Sequence, residues 1–214
     1  SVLEKERKMK FYSYVIPRDY GFAPNPYFGY CTLADCKPGI RKMAQTGDWV
    51  AAFGAAMTPY KGKLVMLMQV EEAMSFDEYW MDERFRCKRP VFSKGLIHAY
   101  GDNIYHHVDG EWVQEYSHHS KEDGTVNEVN LNKDTGTDRV LISTKFYYFG
   151  DHAITIPDQY AELIRKGRNC KINTNIDLIE KFTTYMDENY KVGIYGTPYS
   201  RRDGAFAHYK GEER

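Results

Sequence analysis

Between positions 101 and 120 the chain reads GDNIYHHVDGEWVQEYSHHS, which places four of its seven histidines beside one of its three tryptophans. Three chemistries use such residues. Histidine titrates near neutral pH, so His107 or His118 could act as acid or base, with Asp102 or Asp151 orienting the ring. Imidazoles also bind metals, but adjacent histidines in a strand point to opposite faces, and no Cys or carboxylate is obviously placed to complete a set of three or four donors. No metal site is expected. The third chemistry is stacking: Tyr105, Trp112 or Tyr116 could support a base while Asn103 and Gln114 hydrogen-bond its edge.

A second constellation lies in RDYGFAPNPYFGYCTLADCKPGIR, residues 18–41. Arg18, Lys37 and Arg41 cluster around the start of a helix, and Asn25 sits in a proline-flanked turn. Unpaired helix N–H groups beside basic side chains can cradle a phosphate or an acidic ring edge. Asp35 weakens that cradle, and the same residues also read as a capped helix with a basic wet side. Cys31 is a weaker candidate for a nucleophile, because the sequence names no base for it.

These residues need elements to hold them. Asp109-Gly110 favours a two-residue type I′ turn, so Val108 should face Glu111 and the flanking residues should pair outwards as a hairpin. Alternation then puts Asn103, Tyr105, His107, Trp112, Gln114, Tyr116 and His118 on one face, read as the ligand side. The other face carries Ile104, His106, Val108 and Val113, read as the core side. FYSYVIP (11–17), DWVAAFGAA (48–56), KLVMLMQVEEA (63–73) and RVLISTKFYYFG (139–150) have strand composition. The third is apolar throughout, so both of its faces should be covered.

DCKPGIRKMAQTG (35–47) reads as a short helix capped by Asp35, with Pro38 in its first turn and Gly47 at its close. Ser75 and Glu78 have capping-box spacing ahead of another helix. PDQYAELIRKG and TNIDLIEKFTTYMDEN read as two further helices, the second with Ile176, Ile179, Phe182 and Met186 near helical spacing.

Lys plus Arg number 29 against 30 Asp plus Glu, so attraction to nucleic acid must be local and a non-specific DNA coat is not expected. Four cysteines without a CxxC pair read as free thiols in a reducing, cytoplasmic setting, and no run of about 20 apolar residues suggests a membrane span. No cofactor is implied. Residues 1–10 read as an extension outside the fold, 11–157 as the main domain, and 158–214 as C-terminal helices and tail packed on it.

The combination YSYVIPRDYGFAPNP, CTLADCKPGIR, GDWV, GDNIYHH and KFYYFGDHAITIP, spanning residues 12–157, resembles the nucleotide modification associated domain, type 2 family. That resemblance implies a phage or bacterial DNA-modification or defence setting, with partners from such a system. The opening strand, helix and Gly47-Asp48-Trp49 turn also resemble PUA-like barrels of the EVE and ASCH type, in which a cleft beside the first helix commonly holds a nucleotide or modified base. The expected fold is therefore α+β: a PUA-like, partly open β-barrel with short peripheral helices and a C-terminal helical extension.

The expected function is recognition of a nucleotide or modified base between the 18–41 segment and the hairpin's aromatic face, Trp49 either walling the base or filling the barrel. The alternatives are an enzyme using a His acid or base, and a tyrosine-rich protein-interaction module.

Overall fold

A computed structural model describes residues 6–201 and 204–211. Its strands are β1 (Phe11–Ile16), β2 (Cys31–Leu33), β3 (Trp49–Gly54), β4 (Leu64–Gln69), β5 (Glu72–Met74), β6 (Tyr105–Val108), β7 (Glu111–Gln114), β8 (Val140–Ser143), β9 (Phe146–Tyr148), β10 (Lys171–Asn173) and β11 (Gly193–Ile194). Its α-helices are α1 (Pro38–Met43), α2 (Phe76–Met81), α3 (Leu96–Ala99), α4 (Glu128–Thr135) and α5 (Ile176–Asn189).

The fold is mixed α/β around an open six-stranded sheet in the order β10-β1-β3-β4-β9-β11. Its outer strands, β10 and β11, lie at opposite ends, so the sheet does not close into a barrel. A three-stranded sheet β2-β8-β5 and the β6-β7 hairpin complete the β structure.

Strand alternation, interrupted by a bulge in β4 where the β3 register shifts between Ala52 and Phe53, explains the two sides of the large sheet. Phe11, Trp49, Ala51, Phe53, Leu64 and Leu67 face α5, where they meet Ile179, Phe182 and Met186. Trp49 is thus a core residue. Tyr12, Tyr14, Ile16, Val50, Ala52, Val65, Met66 and Met68 face the other way, onto Ile40 of α1 and Leu141 of β8. As expected from its composition, β4 is covered on both faces. A third cluster, holding Phe22, Phe76, Tyr79, Phe85, Tyr100 and Tyr105, packs the smaller sheets against α2 and the hairpin.

The hairpin has the expected register, Tyr105 opposite Gln114 and Val108 opposite Glu111, with Asp109 and Gly110 at φ 50° and 80°. Ser75 and Glu78 form the expected capping box.

Four local expectations fail for identifiable reasons. Asp35 does not cap α1; the helix starts from Lys37 in a left-handed conformation without a side-chain cap. The run from 139 to 150 is two strands, because Ser143 and the Glu71 carboxylate take up the backbone N–H groups of Lys145 and Thr144, so that β8 leaves for the small sheet. The segment at 158–163 is a 3₁₀ turn rather than an α-helix. Residues 6–10 are not all outside the fold, since Arg7 pairs with the Asp48 carboxylate at 2.9 and 2.7 Å and Lys10 N–H donates to it at 2.9 Å.

Candidate active site

A cleft of about 400 Å³ opens where the end of β1, the turn entering α1 and the 118–119 segment converge. Tyr14, Tyr20, Phe22 and Tyr209 give it aromatic walls, and Arg18, Lys37 and Lys133 give it cations. Cys36, His118 and His119 complete the chemistry of the lining.

Cys36 and Lys37 both have positive φ, 64° and 44°. For residues with a Cβ this conformation costs roughly 1–2 kcal/mol each, so surrounding contacts must hold it. Cys36 N–H donates to Asp134 Oδ1 at 2.9 Å, and Arg41 Nε donates to Cys36 O at 2.7 Å. The turn is pinned from both sides of the peptide chain.

Cys36 Sγ lies 3.6 Å from His119 Nε2. On the opposite edge of the ring, Nδ1 lies 2.6 Å from Asp134 Oδ2, which also accepts from the Tyr105 hydroxyl at 2.7 Å. A thiol, an imidazole and a carboxylate therefore stand in line, the order in which a nucleophile, its base and the group orienting that base are used.

Burial by itself would pull the His119 pKa down, but the Asp134 carboxylate and the Cys36 sulfur hold it well above the usual histidine value. Burial would likewise raise Asp134, yet His119 and the hydrogen bonds keep it below the carboxylate norm. The pair is an imidazolium and a carboxylate. Next door, burial and then the charges of Asp134 and Asp102 push Asp35 well above the carboxylate range, and among the described residues neither of its oxygens has a hydrogen-bond partner. A neutral acid thus backs the charged pair.

One donor atom from each of Cys36, His119 and Asp134 lies within 4.8 Å of the others, compact enough for a metal ion. The expectation that no Cys or carboxylate completes a histidine set therefore fails at His119. Sulfur and carboxylate nevertheless address different ring nitrogens, so in this arrangement the imidazole separates them instead of sharing one ion with both.

The candidates named from sequence divide. Arg18, Lys37 and His118 line the cleft. Arg41 is buried and binds backbone instead, donating to the carbonyls of Cys36, Asp134, Thr137 and Arg139. Asn25 is also buried, tied to Tyr100 O, Tyr27 N–H and Lys88 Nζ.

The hairpin faces do not divide as expected: Ile104 is buried on the core side and Tyr116 is exposed, but Tyr105, Asn103 and Gln114 are buried too and Val108 is 51% exposed. Asn103 donates to the carbonyls of Tyr79 and Phe85, and Gln114 reaches the Tyr105 hydroxyl and Asn127. Trp112 packs at a tilt on His107, which is held by Asp77 and not by Asp102. Asp102 binds Thr32 and Tyr79, Asp151 binds His152 and Thr197, and Tyr116 packs on Phe92 and His208. None of these hairpin residues lines the cleft. Burial lifts the Cys31 thiol to about 12, a poor nucleophile.

A family model described as nucleotide modification associated domain 2 matches residues 8–204. The chain belongs to this family. The nucleotide modification associated domain 2 match takes in Cys36, His119 and Asp134 and runs on through α5, beyond the 12–157 span of the sequence motifs. Its name suggests a role in nucleotide modification. No curated protein and no solved structure matches the chain. Among the described residues, no helix is long and apolar enough to cross a membrane.

Proposed function

We propose that this protein is a thiol enzyme acting on a nucleotide or modified base held in the cleft, with Cys36 as nucleophile. The in-line contact of Cys36 Sγ with His119 Nε2, backed by Asp134 on Nδ1, carries the reading. In the reactive form the proton of Cys36 is the one held on Nε2 of the His119 imidazolium, and sulfur bonds to an electrophilic carbon, in the simplest case an acyl carbon, whose π electrons move to oxygen. Collapse of that adduct breaks the bond to the leaving amine or alcohol, which takes the proton from His119. Water then releases the acyl group and restores the thiol.

The recognition reading survives as the second possibility, because the aromatic walls of the cleft suit a flat ring and each stacked base contributes about 1–3 kcal/mol. Its site moves from the hairpin to the cleft. A PUA-like ancestry remains a reading of the sequence likeness in the opening strand, helix and Gly47–Trp49 turn, with a cleft beside α1 in its favour and an open sheet in place of a closed barrel. The DNA-modification or defence setting rests on the family resemblance.

Plain and modified nucleotides and short oligonucleotides, incubated with the protein and with Cys36→Ala, separate the readings by mass spectrometry. Enzyme action predicts a changed ligand mass or an adduct on Cys36, both absent from Cys36→Ala. Binding without any mass change in either protein would support a reader, and a stoichiometric transition metal on the purified protein would favour a metal centre.

A further inference from the structure

His118 is 4% exposed and lines the cleft. Its Nδ1 lies 2.6 Å from the carbonyl oxygen of Ala207. A carbonyl only accepts, so Nδ1 is the protonated nitrogen. Burial and then the neighbouring His119 charge depress the ring's pKa to about 3, which leaves the imidazole neutral and Nε2 a bare lone pair. No described residue donates to Nε2. Tyr20 at 4.5 Å and Phe22 at 5.1 Å between ring centroids fix the ring's orientation. A ligand that brings an N–H to this lone pair gains a hydrogen bond from a ring whose orientation is already fixed.

The second observation concerns two cations lining the same cleft. Lys37 is half-buried, with Nζ 5.1 Å from the Tyr14 ring centroid; burial chiefly disfavours its charge, Cys36 favours it, and Lys133, lining the same cleft, disfavours it further. Neither ammonium has a carboxylate partner among the described residues, since Asp134 is turned inwards to His119 and Tyr105. An anion placed between them removes the repulsion.

We propose that the cleft takes a nucleotide in one orientation, an N–H-bearing edge of its base donating to His118 Nε2 and its phosphate lying between Lys37 and Lys133. The inference rests on reading the cleft as a nucleotide site but not on Cys36 chemistry. His118 is then a specificity residue: an edge that offers only carbonyl oxygens to Nε2 meets lone pair with lone pair. The C-terminal segment sets this preference, because the Ala207 carbonyl fixes the tautomer.

The test is calorimetric binding to Cys36→Ser, so that no turnover intervenes. Ligands are dAMP, dCMP, dGMP and TMP, their nucleosides, and the N,N-dimethylated forms of dAMP and dCMP, which lack the amino hydrogens. We expect an amino-bearing nucleotide to bind at least ten-fold more tightly than its dimethylated form, and His118→Phe to abolish that difference while His118→Gln keeps most of it. Lys37→Ala and Lys133→Ala should weaken the nucleotide several-fold and leave the nucleoside unchanged.

Equal affinity for parent and dimethylated forms overturns the base contact without needing any variant to fold. Equal affinity of nucleoside and nucleotide overturns the phosphate contact. Absence of all binding overturns the proposal while thiol reactivity at Cys36, measured separately, still decides the catalytic reading.

Discussion

His118 and His119 are consecutive, their ring centroids 5.5 Å apart, yet they hold opposite protonation states in the same cleft. Asp134 keeps His119 charged, whereas His118, hydrogen-bonded to the Ala207 carbonyl, is pressed neutral by burial and by the charges of His119, His208 and Arg18. One ring is equipped to move a proton and its neighbour to accept a hydrogen bond.

The charged pair should be as important to the fold as to the chemistry. Asp134→Asn leaves His119 buried without its counter-charge, and breaking a buried pair from one side typically costs about 3–5 kcal/mol. Chemical denaturation should show a loss of that order. A loss below about 1 kcal/mol would mean that the pair is not buried as described.

Arg41 should behave as a structural residue near the site. Arg41→Met strips donors from four carbonyls, those of Cys36, Asp134, Thr137 and Arg139, and each unsatisfied buried group costs roughly 1–3 kcal/mol. A markedly lower Tm is expected. If Tm is unchanged and only phosphate binding falls, Arg41 reaches ligand after all.

Acid stability should depend on His118. Its pKa is about 3 folded against 6.5 ordinarily, so between those values the unfolded chain binds the extra proton and stability falls as pH drops. Asp19, lifted by burial to about 6, works in the opposite sense: its contribution is present at low pH and is lost as pH rises through 6. Tm measured from pH 7 to pH 4 should fall less steeply in His118→Phe than in the parent chain. Parallel curves would contradict the neutral assignment.

The hairpin should be dispensable for ligand. Trp112 packs on His107 and Phe76 away from the cleft, so Trp112→Ala should cost stability and leave nucleotide affinity within about two-fold. A loss of most of the affinity would return the site to the hairpin.

Legibility in the sequence followed locality. The Asp109-Gly110 turn, the Ser75–Glu78 capping box and the apolar run of β4 are decided by neighbours a few positions apart, and each emerged from pattern alone. The direction in which the hairpin faced did not, because Tyr105 and Gln114 are as able to bury their polar ends on Asp134 and Asn127 as to face a ligand. The triad was also hidden. Cys36 meets Asp134 across 98 positions, and α4, which carries Asp134, is a polar helix with almost no apolar stripe to announce it. The 118–119 pair sits in neither strand nor helix, so alternation assigned His118 to a face it does not occupy.

Alkylation of Cys36 by limiting iodoacetamide, followed by peptide mass mapping in the parent chain and in His119→Gln, tests the central claim most directly. The account predicts that Cys36 reacts at least ten-fold faster in the parent chain and that a bound nucleotide protects it. Equal rates in the two proteins, with no protection by any nucleotide, would contradict it.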